Sequence, residues 1–268
     1  MDGTGATNGD VNAAAAVARR VAKSVVRVLS SAVVRLVGSE VPTDFDRRSC
    51  VVLAPHPDDE TFGCGATIAR KCAAGTDVRV VIVTDGSRSP HVESITGREL
   101  VAVREREALA ALARLGVPRS GVTFLGFEDG TLSEQVDAVA AAIGECAAAT
   151  GADQVLVTSV DDRHPDHRAL GNAARLARER GELVGDLHEY AIWQRVPAVR
   201  VLVRVARAGM GRARAGTPRV APRPLLVSTR GVLDRKRAAI DAYESQLPLL
   251  PIGFVEDFLQ RHEVFVRV

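Results

Sequence analysis

The chain of 268 residues has few of the residues that mark several protein classes. It contains only four cysteines, at positions 50, 64, 72 and 146, and none of them form a short paired spacing. This scarcity argues against a disulfide framework and favours reduced thiols in a cytosol. The formal net charge is only +2, so charge alone indicates no polyanionic partner, and we expect no nucleic-acid partner.

Long apolar runs are also missing. Residues 11–38 read as a basic helix, but they contain no uninterrupted apolar run of about 18 residues, so they do not predict a membrane span. A basic segment followed by a compact apolar core is absent as well, so no secretory signal is predicted. We therefore expect a cytoplasmic protein.

Acidic residues are absent from two stretches. Residues 11–38 contain none, and neither do residues 190–233, which carry nine arginines. Basic amphipathic helices can lie on anionic lipid, here as a peripheral contact at the inner face of a membrane. We favour the alternative that both stretches are solvated faces of helices docked on the domain or at a subunit contact. An oligomer is therefore left open.

What the sequence does contain is two clusters of His and Asp, each following an apolar run. Residues 50–54 precede the motif HPDDE at residues 56–60, and residues 154–158 precede HPDH at residues 164–167. Short apolar runs that do not alternate are typical of parallel strands, which are covered on both faces. Open α/β sheets bind ligands at the carboxyl ends of such strands. Two strand ends that each supply His and Asp predict a metal site.

The spacing within each motif suits a metal ion. His56 and Asp59 are three residues apart, so a tight turn can aim both at one point while Asp58 points elsewhere. His164 and His167 have the same spacing, and either could complete a set of His, Asp and His. Catalytic zinc takes three such ligands at about 2.0–2.2 Å and lowers the pKa of water to roughly 7. Surface loops or helix caps would explain either motif alone, but they explain poorly why both follow apolar strands.

The rest of the pattern alternates between strand and helix. We predict strands at residues 51–54, 77–84, 122–127, 154–158 and 189–193, and helices at residues 66–74, 98–115, 133–149 and 169–179. Strands separated by helices form right-handed βαβ units. The predicted fold is α/β: a Rossmann-like, mostly parallel sheet flanked by helices, with the metal site at the carboxyl ends of the strands.

A nucleotide-binding oxidoreductase is a rival interpretation, because Gly63 and Gly65 follow the first strand as a dinucleotide-binding loop would. The third glycine of that fingerprint falls at Ile68, and charged residues stand where the phosphate loop should begin. We instead expect the two glycines to let the chain turn tightly beneath the site. We expect Cys64 to be a small buried residue, since the ligand set is filled without it.

The two motifs together resemble those of the zinc-dependent N-acetylglucosaminyl deacetylase family, also called the PIG-L or LmbE-like family. Its members include deacetylases of mycothiol and bacillithiol biosynthesis and of glycosylphosphatidylinositol precursors. Residues 104–109 resemble the family's Arg-x-x-Glu helix, residues 125–130 its Leu-Gly-x-x-Asp turn, and residues 236–246 a C-terminal segment common in bacterial members. The resemblance covers residues 50–246, and its specificity lies in the paired motifs.

The resemblance implies a metal set and a base. His56, Asp59 and His167 would bind one Zn²⁺ per chain, and Asp58 would be the general base that takes a proton from the attacking water.

The resemblance also implies four supporting roles. His164 would be the protonated group that stabilises the oxyanion or protonates the leaving amine, with Asp166 fixing its tautomer. Arg104 and Asp129 would hold sugar hydroxyls. Some members carry a Tyr shortly before the HPDH motif, where this chain has Asp-Asp-Arg at residues 161–163. Oxyanion stabilisation would therefore fall to zinc and His164, or to an arginine that the sequence does not identify.

The sequence thus predicts a hydrolase of linear amides that removes an N-acetyl group from an amino sugar or a related glycoconjugate, a small-molecule substrate. Residues 41–268 would form the catalytic domain, and residues 1–40 a polar tail with a basic amphipathic helix. The alternatives are an amidase or deacetylase acting on a thiol conjugate or an antibiotic intermediate, and a catalytically silent glycan-binding protein on the same fold. A phosphoesterase is also conceivable, but it would usually require two metal ions.

Overall fold

A single mixed sheet forms the centre of the part of the chain that the computed structural model describes, residues 32–89, 97–193 and 223–268. Within these residues the sheet has eight strands: β1 (Ser39–Glu40), β2 (Cys50–Ala54), β3 (Val78–Thr84), β4 (Val122–Phe127), β5 (Gln154–Thr158), β6 (Asp186–Tyr190), β7 (Leu225–Ser228) and β8 (His262–Arg267). Their order across the sheet is β1-β7-β8-β6-β5-β2-β3-β4. Strands β2 to β6 are parallel to their neighbours in this set, whereas β8 runs antiparallel to both β6 and β7.

Helices cover both faces of the sheet. They are α1 (Asp59–Ala73), α2 (Gly97–Leu115), α3 (Val136–Thr150), α4 (Pro165–Glu179), α5 (Leu233–Ile240) and α6 (Phe254–Phe258). One apolar core contains Val52 of β2 together with side chains of α1, α2 and α5, and a second contains Val51 with side chains of α3 and α4. Alternate residues of β2 therefore enter opposite cores, which explains why its sequence is apolar throughout.

The strand order places a switch point between β2 and β5. From β2 the chain adds β3 and β4 on one side, while β5 and β6 lie on the other. The pairing of β2 with β5 runs from Cys50 opposite Gln154 to Leu53 opposite Val157, so both strands end at the same edge. Open α/β sheets bind ligands in the crevice at such a point. The predicted fold class is confirmed, and both His–Asp motifs follow the two strands that flank this crevice.

Two helices begin earlier than the apolar pattern predicts, at the motifs themselves. Helix α1 starts at Asp59 rather than near residue 66, and α4 starts at Pro165 rather than at residue 169. Asp59 and Glu60 lie in the first turn of α1, where carboxylates interact favourably with the helix dipole. Pro165 occupies the first turn of α4, a position that suits its fixed φ and missing N–H. Each motif is therefore a strand end followed at once by a helix start.

Gly63 and Gly65 lie within α1, so the prediction that they form a tight turn is wrong. They instead allow close packing: a Cβ at Gly63 would lie 2.3 Å from Cδ2 of Tyr190, and one at Gly65 would lie 3.1 Å from Cγ of Lys236. The Lys236 ammonium forms a buried ion pair of 2.7 Å with Glu263 of β8. Small residues at these two positions thus let β6 and the C-terminal part of the chain pack against α1. Cys64 between them is buried, as predicted.

Most of the two basic stretches, residues 1–31 and 194–222, lies outside the described residues, so their predicted helices stay predictions. Residues 32–37 are helical, with Val34 packed on Leu226 and Leu36 85% exposed. Strand β1 follows and pairs with β7. In the part of the chain that can be described, no helix is both long and apolar enough to cross a bilayer.

Candidate metal centre

Three donor atoms from the two motifs meet beyond the ends of β2 and β5. Nδ1 of His56 lies 3.1 Å from Oδ2 of Asp59 and 3.3 Å from Nε2 of His167. The same Asp59 oxygen lies 3.2 Å from Nε2 of His167, and all three residues are buried. A tetrahedral zinc ion with ligands at about 2.0–2.2 Å would hold neighbouring donor atoms ~3.3–3.6 Å apart. The triangle formed by these three donor atoms is therefore nearly as large as one face of the coordination tetrahedron of zinc.

The protonation of these residues also fits a cation site. Burial works to lower the pKa of His56, but hydrogen bonds to Asp129, Asp166 and Asp59 outweigh it and raise that pKa well above its usual value. Burial likewise opposes protonation of His167, yet the Asp59 charge raises the pKa of His167 to about 9. Burial would raise the pKa of Asp59, but the two imidazoles lower it. The neighbouring carboxylates therefore favour positive charge at both rings, and a divalent cation bound by these three residues would take the place of the ring protons.

The other nitrogen of His56 faces two carboxylates. Nε2 lies 3.1 Å from Oδ1 of Asp129 and 3.3 Å from Oδ2 of Asp166, and these three residues are also close enough to form a metal group. Both carboxylates already accept backbone N–H groups: Asp129 from Arg88 at 3.1 Å, and Asp166 from Gly130 at 2.7 Å. This arrangement favours Nε2–H as a donor to the carboxylates and leaves Nδ1 for a metal, the usual pairing of a ligand histidine with a carboxylate.

The contacts of Asp129 and Asp166 differ from those that the resemblance implies. Asp129, predicted to hold sugar hydroxyls, is 5% exposed and uses its oxygens for His56 and the Arg88 amide. Asp166, predicted to fix the tautomer of His164, directs its carboxylate to His56 and to backbone amides. Because Asp166 lies in the first turn of α4, it is the Asp166 N–H that reaches His164, donating to its Nδ1 at 3.3 Å. Both carboxylates orient His56.

His164 lies where an acid would be needed, although its electrostatics differ from the prediction. Its ring centroid is 4.7 Å from that of His56 and 4.9 Å from that of His167, and its side chain lines the cavity. The resemblance implies that His164 works in its protonated form. Burial and the positive charges of His56 and His167 lower the pKa of His164, and together they outweigh the Asp59 and Asp166 charges, which raise it. A metal that deprotonates the His56 and His167 rings would remove their repulsion of a proton on His164. The positive charge of the metal would then repel that proton in their place.

Asp58 stands beside the metal triangle in a strained backbone. It is the only non-glycine residue with a positive φ in the described ranges, at 141°, a conformation that costs roughly 1–3 kcal/mol and is typical of functional sites. Its Oδ2 lies 3.2 Å from a guanidinium nitrogen of Arg104. Burial raises the pKa of Asp58 to about 7, with the Arg104 charge opposing the increase. A carboxylate with a pKa near neutrality is suited to accept a proton.

Arg104 was predicted to hold sugar hydroxyls, and its contacts indicate a different role. It is 1% exposed and donates to the carbonyl of Pro57 at 2.7 Å and to that of Gly86 at 3.2 Å, besides its contact with Asp58. These protein groups occupy both terminal nitrogens, while Arg104 also lines the cavity, so its role in binding sugar hydroxyls stays a prediction. Arg104 clamps the turn that presents Asp58.

Asp162 is a supporting residue that the sequence analysis missed. Its Oδ2 lies 3.5 Å from Nδ1 of His167 and accepts the backbone N–H groups of Ile192 at 2.9 Å and Trp193 at 3.1 Å. These bonds fix the carboxylate behind the ligand ring, on the side away from the nitrogen that faces Asp59. The rule that ligand histidines are backed by carboxylates could have identified it, since Asp162 stands two residues before the HPDH motif.

A second missed group lies beneath the Asp58 turn. Glu60 is fully buried, and its Oε2 accepts the backbone N–H of Asp58 at 3.1 Å. Its Oε1 accepts hydrogen bonds from the hydroxyls of Thr61 and Tyr243. Tyr243 belongs to the C-terminal segment quoted in the sequence comparison, so that segment reaches the site through Glu60.

A cavity of about 280 Å³ opens onto these groups. Its polar lining includes His56, Asp58, Asp59, Arg88, Ser89, Arg104, Asp129, His164 and Gln246, and its apolar lining includes Phe62, Ile192, Trp193, Leu249, Leu250 and Phe254. One pocket thus brings together the donor atoms of His56 and Asp59, the Asp58 carboxylate and the His164 imidazole.

Comparison with known proteins agrees with the motifs. Residues 51–178 match the PIG-L family, described as GlcNAc-PI de-N-acetylase. The chain is 31% identical over 131 residues to a probable N-acetyl-alpha-D-glucosaminyl L-malate deacetylase 2 of Bacillus cereus, a match that covers 47% of this chain and 59% of that relative. The chain thus spans less than two thirds of this relative's length.

Solved structures share the fold. N,N'-diacetylchitobiose deacetylase from Pyrococcus horikoshii superposes with a TM-score of 0.59 at 21% identity, over 84% of this chain and 85% of that one. The zinc-inhibited form of teicoplanin deacetylase Orf2 superposes with a TM-score of 0.60 at 19% identity, over 82% of this chain and 98% of that one. At these identities the structures establish the shared fold, and the resemblance drawn from the motifs is confirmed by the family match.

Proposed function

Since residues 51–178 match the PIG-L family, we propose that this chain is a zinc-dependent hydrolase that removes the N-acetyl group from an amino sugar or a related glycoconjugate. One observation carries the proposal: His56, Asp59 and His167 place three donor atoms 3.1–3.3 Å apart, next to a strained carboxylate in a cavity.

The donor set fits zinc better than harder cations. Two imidazole nitrogens and one carboxylate oxygen are typical ligands of catalytic zinc, whereas Mg²⁺ and Ca²⁺ prefer oxygen ligands only. When bound, zinc would polarise the amide carbonyl and make water more acidic.

Asp58 and His164 divide the proton transfers. Asp58, with its raised pKa, takes the proton from the attacking water, and Arg104 and Glu60 keep its carboxylate aimed into the cavity. His164 lines the same cavity and, when protonated, donates to the amine as the carbon–nitrogen bond breaks. The products are acetate and the free amino sugar.

Three carboxylates outside the ligand set would hold the ligand rings. Asp129 and Asp166 orient His56, and Asp162 orients His167. Such partners fix the tautomer of a ligand imidazole and raise its basicity.

The substrate class follows from the relatives. The Bacillus cereus protein is named for an N-acetylglucosaminyl conjugate, and the Pyrococcus horikoshii protein for an acetylated chitobiose. We propose an N-acetylated amino sugar for this chain, with a deacetylation in antibiotic biosynthesis as the second candidate, because one structural neighbour is a teicoplanin deacetylase. A silent glycan-binding protein would have no need for a base held in a strained turn.

The test is acetate release from a panel of N-acetylglucosamine conjugates. The full chain with one equivalent of zinc should release acetate, lose this activity on treatment with a chelator, and regain it when zinc is restored. Binding of the conjugates without acetate release at any metal loading would support the glycan-binding alternative and refute the proposal.

A further inference from the structure

Three aromatic side chains, Phe62, Trp193 and Phe254, line the cavity. The whole sequence has only seven Phe, two Tyr and one Trp. Trp193 and Phe254 pack with ring centroids 4.7 Å apart, and Phe254 packs with Phe62 at 5.3 Å and with Phe258 at 5.0 Å. These distances are typical of interacting aromatic rings. Helix α6 thus brings an aromatic cluster to the metal centre.

This cluster forms part of an apolar wall. Phe62, Ile192, Trp193, Leu249, Leu250 and Phe254 all line the cavity that contains Asp58 and His164. Leu249 is 42% exposed, although it is a large hydrophobic residue beside the polar groups. The methyl of an acetyl group is too small to occupy six large apolar side chains, so the wall has room for a further apolar part of the substrate.

The two arginines of the described cavity lining, Arg88 and Arg104, each have a carboxylate partner within the protein. Arg88 forms an ion pair with Glu128, and Arg104 contacts Asp58 and backbone carbonyls. An anionic substituent on the sugar would have to compete with Glu128 or Asp58 for these guanidinium groups, whereas an apolar substituent would not.

We infer that the substrate is an amino sugar whose adjoining substituent is apolar, such as an alkyl or aryl aglycone, and that this substituent lies on the wall formed by Trp193, Leu249 and Phe254. The inference rests on the proposed function for the position of the sugar. Burying apolar groups tightens binding by about fourfold per methylene.

Trp193 makes the inference directly measurable, since it is the only tryptophan in the sequence. The full chain would be titrated with methyl and octyl glucosaminide, amines that cannot be deacetylated, below the micelle concentration of the octyl compound. We expect the octyl glycoside to shift the Trp193 emission to the blue and to bind at least about tenfold more tightly than the methyl glycoside.

Two matched variants complete the test. Leu249→Asp should remove most of the octyl-to-methyl affinity ratio, whereas Val184→Asp, at a valine that is 77% exposed and outside the cavity lining, should preserve it. Equal affinity for the two glycosides, or equal effects of the two variants, would overturn the inference. Acetate release from methyl N-acetylglucosaminide is measured in parallel. This substrate has no large apolar substituent, so its deacetylation tests the proposed function independently of the apolar wall. The two proposals can therefore fail separately.

Discussion

At the scale of single residues, Asp58 combines a strained backbone, a buried carboxylate and an arginine partner. Asp58 has a φ of 141° and its carboxylate contacts Arg104, whereas the carboxylate of Asp59, its neighbour in sequence, contacts His56 and His167. The HPDDE motif can therefore supply one metal ligand and one base from adjacent aspartates. The spacing of the motif predicts this division of roles, while the strain and the Arg104 clamp depend on residues far along the chain.

The first prediction separates the two aspartates. Asp58→Asn should keep the metal content and lower kcat by ~10²–10⁴-fold, the usual loss for a general base. Asp59→Asn serves as the control and should lower the metal content. Elemental analysis beside kcat measurements checks both, and equal metal loss in the two variants would show that the roles are misassigned.

The Asp58 carboxylate also predicts how the rate depends on pH. Its pKa is raised to about 7 mainly by burial, so the rate should increase with pH as Asp58 becomes deprotonated. A divalent cation nearby favours the ionised carboxylate, so the acid limb of the holoenzyme should lie at or below pH 7. An acid limb of the residual rate that persists unchanged in Asp58→Asn, measured at constant metal occupancy, would exclude Asp58 as the base.

Asp162 gives the second residue-scale test. Asp162→Asn should weaken metal binding by ~10–100-fold, because His167 loses the carboxylate that orients it. Asp161→Asn, at the exposed neighbouring position, is the matched control. Competition titration with a zinc-binding dye measures both affinities. Identical affinities in the two variants would mean that Asp162 only supports the backbone.

At the scale of secondary structure elements, both motifs are helix starts as well as strand ends. The apolar periodicity predicts α1 and α4 too late, because it ignores the stabilisation of a first turn by Asp59, Glu60 and Pro165. Strand β6 lies three residues earlier than predicted, at Asp186–Tyr190 rather than at residues 189–193. The other strands of the β2–β6 set and the four longer helices are predicted by their local patterns. Strands β7 and β8 are not, since β8 joins the sheet through contacts such as the Glu263–Lys236 pair, which no local pattern reveals.

The C-terminal segment has a functional contact that can be tested. Tyr243→Phe removes a hydroxyl that donates to Glu60, and Glu60 in turn accepts the Asp58 amide. We expect kcat to fall by about 10–100-fold, because the base is displaced, while the metal content stays the same. The control is Tyr190→Phe, which removes another buried hydroxyl, one that donates to the carbonyl of Leu53 at 2.9 Å.

Stability alone would not distinguish these two variants. Each removes one hydrogen bond to a buried acceptor, which costs about 0.5–3 kcal/mol in the free energy of unfolding. Only Tyr243→Phe should also lower kcat. If both variants reduced kcat equally, the effect would be a general loss of packing and Glu60 would have no positioning role.

At the scale of the whole molecule, the order of the strands creates the site. The ends of β2 and β5 meet at the switch point, and the loop after β4 adds Asp129. The sequence contains both motifs, and it predicts that they converge because each follows an apolar strand. It does not predict that Asp129 and Asp166 bind one ring of His56, since this depends on the position of β4 and of the first turn of α4.

The location of the two basic stretches, on the protein or on a lipid surface, stays a prediction about the whole chain. We favour helices docked on protein over helices on lipid, so the full chain and a chain beginning at residue 32, which retains β1, should sediment equally with anionic vesicles. Stronger sedimentation of the full chain that weakens with added salt would indicate a lipid contact instead.

The central claim is that one metal ion lies between His56, Asp59 and His167. Anomalous diffraction at the zinc absorption edge, from crystals of the full chain grown with zinc, tests it most directly. The account predicts a single strong peak in contact with Nδ1 of His56, Oδ2 of Asp59 and Nε2 of His167. A peak on the opposite side of the ring, between Nε2 of His56 and the carboxylates of Asp129 and Asp166, or two peaks per chain, would contradict it.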